Sequence, residues 1–194
     1  MIHEMPFVFE TGPMGSGKTL QLIVKAYQAA EESRRVVCLQ SALNTRDSGI
    51  ISSRAGLKHP AIVIDPNFTR ASLVELLQNA DFVGVDEIHL FREEIIDILI
   101  NLYKDGKQIV VAGIDTDYRG EILDMALSLM RIPEVHIVKH TTVCAVCGKR
   151  NAHRSQRLRN GRPVSRKEPT VHIEGSDDGV TYRAVCVAHH ELLD

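Results

Sequence analysis

Two hydrophobic patterns alternate along residues 1–140. Short apolar runs at Phe7–Thr11, Arg34–Gln40, Ala61–Asp65, Asp81–Glu87, Lys107–Gly113 and Glu134–Lys139 are too brief for helices, so each predicts a strand. Between them, apolar positions recur every three to four residues over Leu20–Ala30, Arg70–Asn79, Glu93–Tyr103 and Glu121–Met130, the spacing of a one-faced helix. Leu73, Leu76 and Leu77 share such a face, Gly106 closes the helix before it, and Pro66 stops the strand ending at Asp65. Strands that alternate with helices predict an α/β fold, a parallel sheet flanked by helices on both faces. In such sheets ligands bind beyond the carboxyl ends of the strands, where the loops after Thr11, Gln40, Glu87 and Gly113 would converge. One long polar segment, Ser41–His59, interrupts the alternation and is long enough to suggest a functional loop.

From about Thr141 the pattern becomes short, strand-like and turn-rich, which predicts a small C-terminal unit, 141–194, after a main domain, 1–140. Hydrophobic residues at 44% and charged residues at 25% provide a core and a solvated surface, and a net charge of −2 gives no global attraction to nucleic acid or to an anionic membrane. No apolar run reaches the ~20 residues of a membrane span. Met1–Pro6 has no basic, apolar leader pattern, so the four cysteines are expected in a reducing cytoplasm, where paired spacing suggests metal before disulfide.

The first chemistry-bearing motif lies between the first strand and the first helix. Gly12-Pro13-Met14-Gly15-Ser16-Gly17-Lys18-Thr19 fits the phosphate-loop pattern G-x-x-x-x-G-K-[ST]. Glycines let successive N–H groups turn inward, and the helix start adds its positive dipole end. Lys18 would reach the β- and γ-phosphates, and the Thr19 hydroxyl would hold Mg²⁺. A Gly-rich turn that only caps a helix is the bland alternative, which the flanking strand and helix disfavour.

Asp86 and Glu87 end an apolar strand, as a Walker B acid does. The first carboxylate can hold Mg²⁺ and the second can take a proton from an attacking nucleophile. In the C-terminal unit, Cys144-x-x-Cys147 and Cys186-x-x-His189 form two knuckles able to close a tetrahedral zinc site with a structural role; a redox pair at 144 and 147 is the competing reading. Between Lys149 and Lys167 stand eight Lys or Arg residues without interleaved aromatics, read mostly as solvated surface. Tyr118 could stack on a base or be a half-buried loop aromatic.

These motifs occur in an order that resembles the thymidine kinases of the cellular, zinc-containing type. The phosphate loop is followed by Asn44-Thr-Arg46, by Asp86-Glu-Ile-His-Leu-Phe91, by Gly113-Ile-Asp-Thr-Asp-Tyr-Arg-Gly120 and by the two knuckles. Ser52-Ser-Arg-Ala-Gly-Leu57 and the Cys-x-x-His-His ending are similar to an actinobacterial-like branch. The resemblance implies ATP and thymidine as substrates, Mg²⁺ with ATP, a structural Zn²⁺, and a homotetramer. It places Asn44, Arg46, Asp86 and His89 beside Gly12–Thr19 at ATP, with Arg46 neutralising phosphate charge and Glu87 as the base for the 5′-hydroxyl. It places Met14, Leu90, Tyr118, Val171, His172, Ile173, Glu174, Gly175 and Tyr182 around thymidine, the last six in a lasso over the nucleoside anchored by zinc. Two other functions remain as alternatives: a zinc-ribbon ATPase acting on nucleic acid, and a related deoxynucleoside kinase with altered base specificity.

Overall fold

A computed structural model describes residues 6–44, 48–170 and 179–194. In chain order the elements are β1 (Phe7–Thr11), α1 (Lys18–Glu31), β2 (Val36–Ser41), β3 (Ile50–Ser52), β4 (Lys58–Pro60), β5 (Ile62–Ile64), α2 (Arg70–Leu77), β6 (Phe82–Val85), α3 (Glu94–Lys104), β7 (Gln108–Gly113), α4 (Asp124–Met130), β8 (Val135–Lys139), β9 (Arg154–Arg159), β10 (Arg162–Pro163) and β11 (Val180–Val185). The six strands expected from the apolar runs form one sheet in the order β5-β2-β6-β7-β1-β8, and every neighbouring pair is parallel.

The unbroken apolar runs are explained by burial on both faces. Phe7, Phe9, Val83, Val85, Ile109 and Val111 point to one side and pack with Leu73 and Leu77 of α2, Ile95 and Leu99 of α3, and Leu129 of α4. Val8, Phe82, Val110 and Ala112 point to the other side, against Leu22, Ile23 and Ala26 of α1. Each fully buried Leu, Ile or Phe contributes about 1.5–3 kcal/mol of transfer free energy, so the central strands are pinned in register.

Two expectations shift. Inside the polar Ser41–His59 segment, β3 and β4 form an antiparallel hairpin, because Ile51 is buried in the α1-side cluster and anchors it. The last helix of the main domain begins at Asp124 rather than Glu121. The Asp117 carboxylate accepts the N–H groups of Arg119 and Glu121, and Thr116 bridges Ile122, which holds the chain in a turn.

Beyond β8 the chain forms a three-stranded antiparallel sheet, β10-β9-β11, with Tyr182 paired to Arg157. This small sheet sits on the ligand end of the large one. Ser155 Oγ accepts the Met14 N–H at 3.0 Å, and Arg154 Nη1 donates to the Gly120 carbonyl at 3.0 Å. Gly12 marks how close the approach is: its φ is +139°, and a Cβ there would stand 2.4 Å from the His140 carbonyl oxygen. Glycine is required by both conformation and space.

Candidate active site

The loop between β1 and α1 delivers the helix start to the carboxyl end of the sheet. Gly17, at φ 95°, caps α1 without a side chain, so the first N–H groups of the helix stay directed at the loop interior. Lys18 is buried and its Nζ donates to the Pro13 carbonyl at 2.9 Å, folded over the loop. Burial lowers its pKa, while the nearby Glu87 and Asp86 carboxylates oppose that shift. Ser16 Oγ is buried without a hydrogen-bond partner among the described residues, a polar group that a phosphate oxygen would satisfy.

At the end of β6, Asp86 accepts a hydrogen bond from Thr19 Oγ1 at 3.0 Å. Burial, and then the neighbouring Glu87 charge, push the Asp86 carboxyl up to about 7. A carboxyl whose burial and anionic neighbour outweigh the nearby Lys18, touching a phosphate-loop hydroxyl, fits a hard divalent cation held by Thr19 and Asp86. Glu87 adopts a left-handed conformation, φ 49° and ψ 50°. That is uncommon for a residue with a Cβ and turns the chain sharply into the short 3₁₀ turn Ile88–Leu90. Its carboxylate oxygen lies 3.4 Å from His89 Nδ1, and burial lowers the His89 pKa, favouring the neutral ring.

One cavity of about 430 Å³ joins these groups to the C-terminal sheet. Its walls include Met14–Thr19, Asn44, Asp86, Glu87, His89 and Leu90 on one side, and Tyr118, Ser155, Arg157 and Tyr182 on the other. Tyr118 is fully buried. Its hydroxyl faces the carbonyls of Ser165, Arg166 and Glu168 at 3.1, 3.1 and 2.8 Å and donates its single proton among them. The Arg157 guanidinium lies 4.1 Å from the ring centroid, so a cation covers the ring in this structure.

The knuckles meet as their spacing predicts. Ligand atoms of Cys144, Cys147, Cys186 and His189 lie within 4.8 Å of one another, and Cys186 Sγ is 3.1 Å from His189 Nδ1. Backbone N–H groups, that of Cys147 first, hold the Cys144 thiol down at about 6 despite burial. Three sulfurs and one imidazole around a common point, with thiolate character at one of them, fit a zinc ion and leave no vacant position for catalysis.

A family model for thymidine kinase matches residues 5–190. This chain belongs to the thymidine kinase family. It is 34% identical over 184 residues to a thymidine kinase of Coprothermobacter proteolyticus, covering 94% of this chain and 88% of that one. It is 33% identical over 183 residues to a thymidine kinase of Pyrobaculum aerophilum, covering 93% of this chain and 96% of that one. Among solved structures, AMPPCP-bound DnaA from Aquifex aeolicus aligns with a TM-score of 0.45 at 18% identity, over 72% of this chain and 41% of that one, too distant a likeness to carry an argument.

For this thymidine kinase family member, the structure gathers most of the residues singled out in the sequence. Gly12 and Pro13 do not line the cavity; the Pro13 carbonyl accepts from Lys18, and Gly12 passes close to the His140 carbonyl. Arg46 and the segment Val171, His172, Ile173, Glu174 and Gly175 lie outside the described residues. Among the lining residues that sequence reasoning did not single out as site residues are Ser155, Arg157 and Arg54. Ser155 and Arg157 sit in a basic strand without a motif, and Arg54, at the β3–β4 turn, comes near Gly15. Arg54 lies in the long polar segment and in the Ser52–Leu57 stretch that carries part of the family resemblance, but neither gave it a site role.

Proposed function

We propose that this protein transfers the γ-phosphate of ATP to the 5′-hydroxyl of thymidine, giving dTMP and ADP. One observation carries the reading: a phosphate loop, a carboxylate pair and a separate wall rich in aromatic and polar groups share a single cavity. A nucleotide-hydrolysing motor needs only the first two, whereas a kinase must hold a second substrate against them.

The N–H groups of Gly15–Thr19 and the Lys18 ammonium bind the phosphates, with Asn44, Arg46 and His89 completing the ATP side. Thr19 and Asp86 hold Mg²⁺, which when bound neutralises charge on the β- and γ-phosphate oxygens. Glu87 accepts the proton of the 5′-hydroxyl as that oxygen bonds to the γ-phosphorus. The bond to the β–γ bridging oxygen breaks, and ADP departs. Met14, Leu90, Tyr118, Tyr182 and the segment Val171–Gly175 form the thymidine side, and enclosure there keeps water from competing with the sugar hydroxyl. We further assign residues 1–140 to nucleotide binding and 141–194 to a zinc-anchored nucleoside-binding unit. A homotetramer is supported by the family, and a cytoplasmic setting by thiols grouped for metal rather than for disulfides.

The test is ATP consumption by the purified protein with single nucleosides in parallel with single-stranded DNA. Stimulation by thymidine alone is expected. Stimulation by DNA and none by thymidine would replace the kinase with a nucleic-acid ATPase, and a preference for another deoxynucleoside would retain the chemistry but move the base specificity.

A further inference from the structure

We infer that Arg157 is a positioning residue for the nucleoside half of the cavity, its guanidinium fixing Tyr118 and Tyr182 in the wall; the inference rests on the kinase reading above. Arg157 stands in the middle of β9 and is 1% exposed, although its run of basic neighbours reads as surface. A buried cation is costly unless something compensates it. Among the described residues no carboxylate lies within 4.0 Å of it. Its compensation is neutral and shaped. Nε donates to the Tyr182 hydroxyl at 2.7 Å, Nη1 to the Pro169 carbonyl at 2.5 Å and Nη2 to the Thr170 carbonyl at 2.7 Å. The same plane lies 4.1 Å from the Tyr118 ring centroid and 5.3 Å from that of Tyr182.

These contacts converge on cavity-lining groups. Tyr118, Thr170 and Tyr182 all face the cavity, and they come from three places: the loop after β7, the chain before the described segment ends at 170, and β11. A residue serving only packing would need no fork of donors. An arginine joins all three because its rigid plane offers several directed N–H groups and two faces; a lysine ammonium is a single point. Tyr118 is held by the Arg157 guanidinium, by the Arg119 guanidinium 5.3 Å from its ring centroid, and by its hydroxyl to the Ser165, Arg166 and Glu168 carbonyls. The ring's orientation is thus set before any nucleoside enters, which reduces the ordering cost of binding.

The test compares Arg157→Lys, which keeps the charge and loses the fork, with Tyr182→Phe, which removes only the hydroxyl. Arg157→Lys should raise the thymidine KM by roughly tenfold or more, the size expected for losing charge-assisted hydrogen bonds, with the KM for ATP unchanged. Thymidine affinity by calorimetry should fall by the same factor, and Tyr182→Phe should show a smaller fall. Combining the two should cost less than the sum of the separate losses, because the hydroxyl and the guanidinium are hydrogen-bonded to each other. Unchanged thymidine binding in Arg157→Lys would overturn the inference, as would additive losses in the double variant. Equal increases in both KM values with a lowered melting temperature would also overturn it, since that marks general destabilisation. A wild-type protein that forms no dTMP would overturn the kinase reading itself, before any variant is compared.

Discussion

At the scale of a single residue, the proposed chemistry turns on Glu87. Its left-handed backbone is a strained arrangement kept beside Asp86 and the phosphate loop, where its carboxylate meets the cavity. Glu87→Gln preserves the shape and hydrogen bonding and removes the proposed base. Turnover should fall by ~10²–10⁴ while ATP binding persists, since general-base catalysis contributes about that much. Steady-state kcat together with nucleotide binding by calorimetry measures both, and near-normal turnover would reject Glu87 as the base. Asp81 offers a second check at this scale. The Arg35 side chain and backbone N–H bind its carboxylate and hold the carboxyl down at about 2. A depressed carboxyl stabilises the fold above the ordinary value of 3.8 and loses that contribution as pH falls toward 2. The difference in denaturant midpoint between wild type and Asp81→Asn should therefore be constant above pH ~4 and shrink below it. A difference that does not change with pH would contradict the assignment. Both groups are partly exposed, so the effect is small.

At the scale of elements, the Cys144, Cys147, Cys186 and His189 cluster, which could hold zinc, sits at the small unit's core. Cys144, Ala152, Val185 and Cys186 form its only buried apolar cluster of that kind among the described residues, so metal binding there would be folding free energy. The purified protein should carry one zinc per chain, and Cys147→Ser should lower the melting of the C-terminal unit first. Metal analysis measures the first and hydrogen exchange along the chain the second. Zinc-free protein, with activity indifferent to chelators, would contradict the site. The elements of the main domain were legible because strands buried on two faces leave unbroken apolar runs, as at Phe7–Thr11 and Lys107–Gly113. The β3–β4 hairpin was not, because three-residue strands are shorter than any period that can be counted. The late start of α4 was hidden because it depends on the Asp117 side chain capturing two N–H groups, a contact without a periodic trace. The candidate site divided the same way. Gly12–Thr19, Asp86 and the knuckles have fixed spacing, whereas Arg157 becomes a buried group only when β9 lies against Tyr118 and Tyr182.

At the scale of the whole molecule, the two sheets matter because they meet. The Met14 N–H to Ser155 contact couples the phosphate loop to the small sheet, so the nucleotide side and the proposed nucleoside side share one enclosure. The central claim is that this enclosure directs a phosphoryl group to a sugar hydroxyl instead of to water. Its most direct test is to follow label from γ-labelled ATP with thymidine present and to count its products. Label is expected in dTMP in equal amount to the ADP formed, with little inorganic phosphate. ADP formed alongside labelled inorganic phosphate, with no label in dTMP, would contradict it.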